Sequence, residues 1–167
     1  MKNHHFLSGS GPHRQDHFHY QPRYPVLTGS LPVTIPVAGI SRWVGEVRVE
    51  RKNWDCFVIE LITFGSVNFT QNRREYSLKA GDIFLLQPGS SHSYCTGNSG
   101  AVHKRFVDIS GPSLLQLLRI MELNDRDTIR PKDPGAIASL MRRSMAILEK
   151  KEPGWPRELS LLSYRLL

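Results

Sequence analysis

The spacing of apolar positions changes once along the chain. From residue 31 to residue 110, β-branched and aromatic residues come in short runs broken by Gly, Pro and Asn turns, the signature of short strands. Residues 33–40 form the first run, with Pro36 directing it to a sheet edge. In the next, Trp43, Val47 and Val49 share one face while Val44, Glu46, Arg48 and Glu50 share the other, which predicts a half-buried strand. Residues 57–64 are apolar on both faces, as in a strand covered on both sides. Gly65 is expected to turn the chain into residues 67–69, and residues 71–74 to make a hairpin whose second strand is 76–78. Runs at 82–87, 92–96 and 102–109 complete about eight strands with no helix between them, which points to a closed barrel or jelly roll.

After Ser110 the period becomes that of helices. Gly111-Pro112 is a start signal, and Leu114, Leu117, Leu118 and Met121 follow at helical spacing. Asp133-Pro134 opens a second helix as a cap followed by Pro at the first helical position, with Ile137, Leu140, Met141 and Leu148 on one face. Lys150-Lys151 suit its C-terminus and Pro153-Gly154 its stop. A third helix begins near Pro156, with Leu159, Leu162 and Leu166 at i, i+3 and i+7. That spacing predicts one apolar stripe and a dimer contact. The stripe stops at Leu166-Leu167 without a C-cap, so the chain is expected to be a fragment of a longer one.

Three parts result: a His-rich arm (1–30), a barrel (31–110) and a helical segment (111–167). The arm holds five of the seven histidines among Gly, Ser, Pro and Gln, and its composition predicts a mobile leader. The chain's 167 residues, 40% of them hydrophobic, suffice for one core. Its formal charge of +7 raises the question of a polyanionic partner. The excess is spread along the chain, however, and no basic stripe marks a nucleic-acid face. Two cysteines exclude a disulfide scaffold, no signal peptide opens the chain and no stretch is long enough to span a membrane. A cytoplasmic protein is expected.

The most specific motif is Gly81-Asp82, five residues, Pro88-Gly89, two residues, His92. It resembles the second motif of the cupin barrels. With Tyr76–Asp82, the His92–Tyr94 turn, the 103–109 strand and the Gly111-Pro112 transition into Leu-rich helices, residues 31–167 resemble the N-terminal ligand-binding and dimerisation domain of AraC-family transcription regulators. The resemblance implies a mainly β fold: a cupin-like double-stranded β-helix (jelly-roll) barrel followed by a C-terminal α-helical dimerisation segment. It also implies a small-molecule effector, a homodimer, and DNA contacted only through a helix-turn-helix domain absent from residues 111–167. A metal-dependent cupin enzyme, an isomerase or oxygenase, is the alternative.

A cupin metal site generally takes two His and a Glu from the first motif and a His from the second. Residues 60–76 contain no His, which leaves His92 alone, so neither a metal nor another cofactor is expected. Ser90, Ser91 and Ser93 lack a nucleophile-elbow context and Cys95 lacks an activating His/Asn pattern, so no catalytic residue is expected either. Cys95 reads as a small core residue. A binding pocket is the better use of the polar residues at apolar positions. Arg51 shares parity with Val47 and Val49, Glu60 interrupts an apolar run, and His92 and Tyr94 share parity on one strand. Arg51, Glu60, His92 and Tyr94 are therefore the expected ligand-binding residues, with an Arg51–Glu60 ion pair as the structural alternative. The side on which Lys104, Phe106 and Asp108 lie stays open, because Val107 and Ile109 compete for the interior.

Overall fold

The computed structural model describes residues 31–167, together with the backbone of two earlier strands, β1 (His4–Gly9) and β2 (His13–His19). The strands that follow are β3 (Thr34–Val44), β4 (Val47–Lys52), β5 (Phe57–Gln71), β6 (Arg74–Lys79), β7 (Ile83–Leu86), β8 (His92–Thr96), β9 (Ala101–Ser110) and the short β10 (Thr128–Ile129). Three helices lie among the described residues: α1 (Leu114–Ile120), α2 (Pro134–Lys150) and α3 (Trp155–Leu166).

Every strand pairing is antiparallel, and two faces form. One runs β1-β4-β8-β5-β6 and the other β2-β3-β9-β5-β7-β10. β5 belongs to both. Its first half pairs with β7 and β9, its second half with β6 and β8, and the register shifts between Ile62 and Phe64 where it crosses over. The turn expected at Gly65 is thus a bend inside one fifteen-residue strand. Gly65 has φ +80°, and an added Cβ there would run into the Ala101 carbonyl. Because β5 folds back, its last residue, Gln71, reaches the strand paired with its beginning: its side chain donates to the Leu85 carbonyl (3.0 Å) and accepts from the Gln87 amide (3.1 Å). The architecture is the jelly-roll barrel expected, followed by helices.

The arm expected over residues 1–30 falls largely outside the described residues. Where its backbone is described it forms strands: β1 extends β4 and β2 extends β3. Main-chain pairing along an open sheet edge requires no apolar composition, so a His- and Gly-rich stretch can join a sheet unannounced.

Two apolar cores lie on opposite sides of the β3-β9-β5 face. Inside the barrel, Trp43, Val49, Val58, Ile62, Phe69, Phe84 and Phe106 pack together. On the reverse side, Ile59, Leu61, Val107 and Ile109 meet the helices through Leu118, Met141, Leu148 and Leu159. Alternate residues of β5 and β9 therefore serve different cores, which places Val107 and Ile109 against the helices and Lys104, Phe106 and Asp108 toward the barrel.

The helices begin and end as their residues dictate. Asp133 caps α2 by accepting from the Ala136 amide at 2.9 Å, and Lys151 ends it in the left-handed conformation. Met121, expected on the first helical stripe, follows α1 and is exposed, since α1 ends at Ile120. Leu159, Leu162 and Leu166 are 0%, 3% and 9% exposed within the helix-facing core. The stripe expected to carry a dimer contact packs in the single chain against β3 and α2. The opposite face of α3 leaves Leu161 and Tyr164 exposed. No helix among the described residues is long and apolar enough to cross a membrane.

Candidate functional site

Four strands contribute charged or polar groups to the barrel interior. Glu60 on β5 is 2% exposed and its Oε2 accepts from Lys104 Nζ on β9 at 2.6 Å. Its Oε1 accepts from the Tyr94 hydroxyl on β8 at 3.2 Å, and that hydroxyl accepts from Arg51 Nη1 on β4 at 3.0 Å. A continuous chain therefore runs Arg51, Tyr94, Glu60, Lys104, each link between different strands. Glu60 is not paired directly with Arg51, as the structural alternative had it. Lys104 is its partner and Tyr94 stands between the two.

Aromatic rings enclose these charges. Lys104 Nζ lies 5.0 Å from the Trp43 ring centre, 5.1 Å from Tyr94 and 5.5 Å from Phe106. Trp43 stacks on Tyr94 at 5.7 Å, and the Arg51 guanidinium sits 4.4 Å over Trp54. Such surroundings strengthen every electrostatic contact and disfavour any uncompensated charge. Burial pulls the Lys104 pKa down against the opposing pull of Glu60. Burial also pushes the Tyr94 phenol well above its ordinary value. For Arg51, burial works against the cation, but Tyr94 and Glu60 outweigh it and raise its pKa.

One end of the barrel is more open. Arg51 stacks over Trp54 beside it, and both are half-buried, as are Cys56 and Asp108. Burial, then the nearby negative charge of Glu60, pushes the Asp108 carboxyl up to about 7. Burial and the bond to Asp55 push the Cys56 thiol up to about 12, which disfavours its thiolate. A hollow of about 230 Å³ opens beside Arg51 and His92, whose backbones pair across β4 and β8.

His92 is 4% exposed, with its Nδ1 3.0 Å from Ser90 Oγ and its ring edge-on to Trp54 at 6.3 Å. Its ring also stacks against Tyr94 at 6.3 Å, so it borders the Arg51–Lys104 chain without a hydrogen bond to it. His103 faces outward against Phe64, and Cys95, expected in the core, is half-buried. Among the described residues no three His, Cys, Asp or Glu side chains converge as a metal would require. Lys104 and Tyr94 take up the two oxygens of the interior carboxylate, and among the described residues no imidazole bonds to it.

Lys104, Asp108, Trp43 and Trp54 were not picked out as site residues from the sequence. Lys104, Phe106 and Asp108 share one parity and Val107 and Ile109 the other, and this pattern alone suits either orientation. The deciding signal is the helical stripe after Ser110, since those helices need an apolar sheet face and only Val107 and Ile109 supply one.

Residues 41–167 match the family model described as AraC-like ligand binding domain. No curated protein is detectably similar in sequence. Among solved structures, the YhaK protein from Escherichia coli is 12% identical, with TM-score 0.50, over 71% of this chain and 52% of that one. The cupin domain of Schizosaccharomyces pombe Cnp3 is 14% identical, with TM-score 0.46, over 67% of this chain and 75% of that one. A predicted oxalate decarboxylase from Thermotoga maritima is 17% identical, with TM-score 0.45, over 60% of this chain and 92% of that one.

Proposed function

Because this chain belongs to the AraC-like ligand-binding domain family, we propose that it is the effector-sensing and dimerisation module of an AraC-type bacterial transcription regulator, without enzymatic activity of its own. The observation that carries this reading is the hydrogen-bonded chain from Arg51 to Lys104 inside an apolar barrel. It supplies fixed donors and acceptors to a small molecule entering from the open end.

The same strands give that molecule a route to the rest of the chain. Glu60 lies between Ile59 and Leu61, and Lys104 and Phe106 lie on the strand that carries Val107 and Ile109 to the helices. A ligand that moves the interior side chains acts on strands whose other face is packed beneath α2 and α3. To work as a switch it must bind one helix arrangement better than the other, by about 1–3 kcal/mol. The helices then present a helix-turn-helix domain, outside these residues, to DNA in the cytoplasm. Dimerisation falls to a second copy meeting the exposed Leu161 and Tyr164 face of α3, since the inner leucines are occupied.

The test is a thermal-shift screen of metabolites followed by binding to variants. Arg51→Ala and Tyr94→Phe are each expected to weaken the bound compound about tenfold or more, the effect of losing a hydrogen bond to a charged group. Ligand addition is also expected to shift the NMR signals of α2 and α3. Wild-type affinity in both variants would place the ligand elsewhere.

A further inference from the structure

Between α1 and β10 the chain has few apolar anchors: of residues 121–129 only Leu123 and Asp127 are buried. What fastens this stretch to the barrel is polar. The Asp127 carboxylate accepts from Gln71 Nε2 and, at 2.7 Å, from the Tyr76 hydroxyl, while Arg74, the cation beside it, is 3.7 Å away and largely exposed. Gln87 Nε2 donates to the carbonyls of Leu123 (2.8 Å) and Arg126 (2.7 Å), and the Leu85 amide donates to that of Asp127 (2.9 Å). Gln71 and Gln87 are themselves joined, since Gln71 Oε1 accepts from the Gln87 amide. A buried carboxylate met by neutral donors recovers its hydration when it leaves, so such a fastening is closely balanced. Glu122, where the stretch leaves α1, is held in the left-handed conformation (φ +55°) that side chains rarely adopt, and opening relieves it. At the far end Arg130 pins the chain to Asp82 at 2.7 Å.

We propose that residues 121–129 are a releasable strap: they lift off β7 together while the barrel and the packing of α2 and α3 stay intact, and Asp127 is the catch. Few buried apolar contacts and a fastening made of hydrogen bonds are the marks of a segment that opens below the free energy of global unfolding. The role given to the strap rests on the reading of the barrel as a sensor. That reading needs an element with two arrangements between ligand and helices, and the strap links α1 to the segment that enters α2. Gln71, which holds Asp127, is also the backbone partner of His92, and His92 is that of Arg51. One row of paired residues thus joins the polar end of the barrel to the catch, and a ligand that shifts β8 there changes the hold on Asp127.

The test is native-state hydrogen exchange on the whole chain, read by NMR without ligand, which keeps it separate from the binding screen that tests the sensor reading. The reporters are the amides of Leu85, bonded to Asp127, and of Leu123, bonded to Leu118, with Ile59 and Leu61 reporting global unfolding. Leu85 and Leu123 are expected to share one protection factor, at least about tenfold below that of Ile59 and Leu61. Asp127→Asn sets an amide against one of the two donors and is expected to lower the protection of Leu85 and Leu123 by about another tenfold. Val49→Ala, in the barrel core, is expected to lower Ile59 and Leu61 by about tenfold and to leave Leu85 and Leu123 unchanged, because that packing survives when the strap lifts. Equal protection of all four amides in the wild-type chain, or an equal fall of all four in Val49→Ala, would overturn the strap. Wild-type protection of Leu85 and Leu123 in Asp127→Asn would overturn Asp127 as its catch.

Discussion

Taking away one partner of the Glu60–Lys104 pair leaves a charge in the barrel with nothing to offset its desolvation. Lys104→Ala or Glu60→Ala is therefore expected to cost about 3–5 kcal/mol in urea unfolding, and the double change Glu60→Leu with Lys104→Met considerably less. A double variant as unstable as either single one would show that the pair contributes packing rather than charge. Asp108 acts in another way. Its carboxyl keeps a proton up to about pH 7 in the fold but releases it at the ordinary carboxylate value when unfolded, so between those values the folded chain binds more protons. The resulting stability is complete below about pH 4 and is lost as pH rises through about 7. Glu60, Arg51, Lys104 and Cys56 are the charged and titratable groups acting on or near it. The melting temperature should fall between about pH 4 and about pH 7, and Asp108→Asn should flatten that fall. An equal slope in the variant would assign the titration to another group.

Among the elements, the bend in β5 depends on one residue. Gly65→Ala would place a Cβ at φ +80° and against the Ala101 carbonyl, so about 3 kcal/mol of destabilisation is expected from the shift of the urea midpoint. A loss under about 1 kcal/mol would show that the crossover relaxes easily. The same strand shows what local pattern conveys. Strand and helix positions follow from period alone, and the parity of Val47, Val49 and Arg51 correctly turns Arg51 toward Tyr94. Pattern does not distinguish a turn at Gly65 from a bend, because both need a positive φ and only the pairing of β5 with β6 and β8 selects one. Nor does it show which carboxylate Lys104 meets, since Glu60 and Lys104 are 44 residues apart and join only through the β5–β9 register. The leucines of α3 were legible as a stripe, but what the stripe covers is a tertiary fact.

For the whole molecule, the two cores predict different outcomes for neighbouring leucines. Leu162→Asp buries a carboxylate between α3 and the sheet and should unfold the helical layer, seen as a lowered melting temperature. Leu161→Asp, 66% exposed in the single chain, should leave the melting temperature nearly unchanged and shift any dimer toward monomer in sedimentation equilibrium. A stable, folded Leu162→Asp monomer would return the interface to the inner stripe. The passage of β5 from one face to the other has a consequence for cooperativity. Its amides are bonded to β7 and β9 at one end and to β6 and β8 at the other, so neither face can open while the other keeps its β5 bonds taut across the bend. The barrel should therefore lack independently unfolding halves. In native-state hydrogen exchange, the amides of Ile59 and Leu61 and those of Val67 and Phe69 should report the same opening free energy, equal to that of global unfolding, and calorimetry should show the barrel melting in one transition.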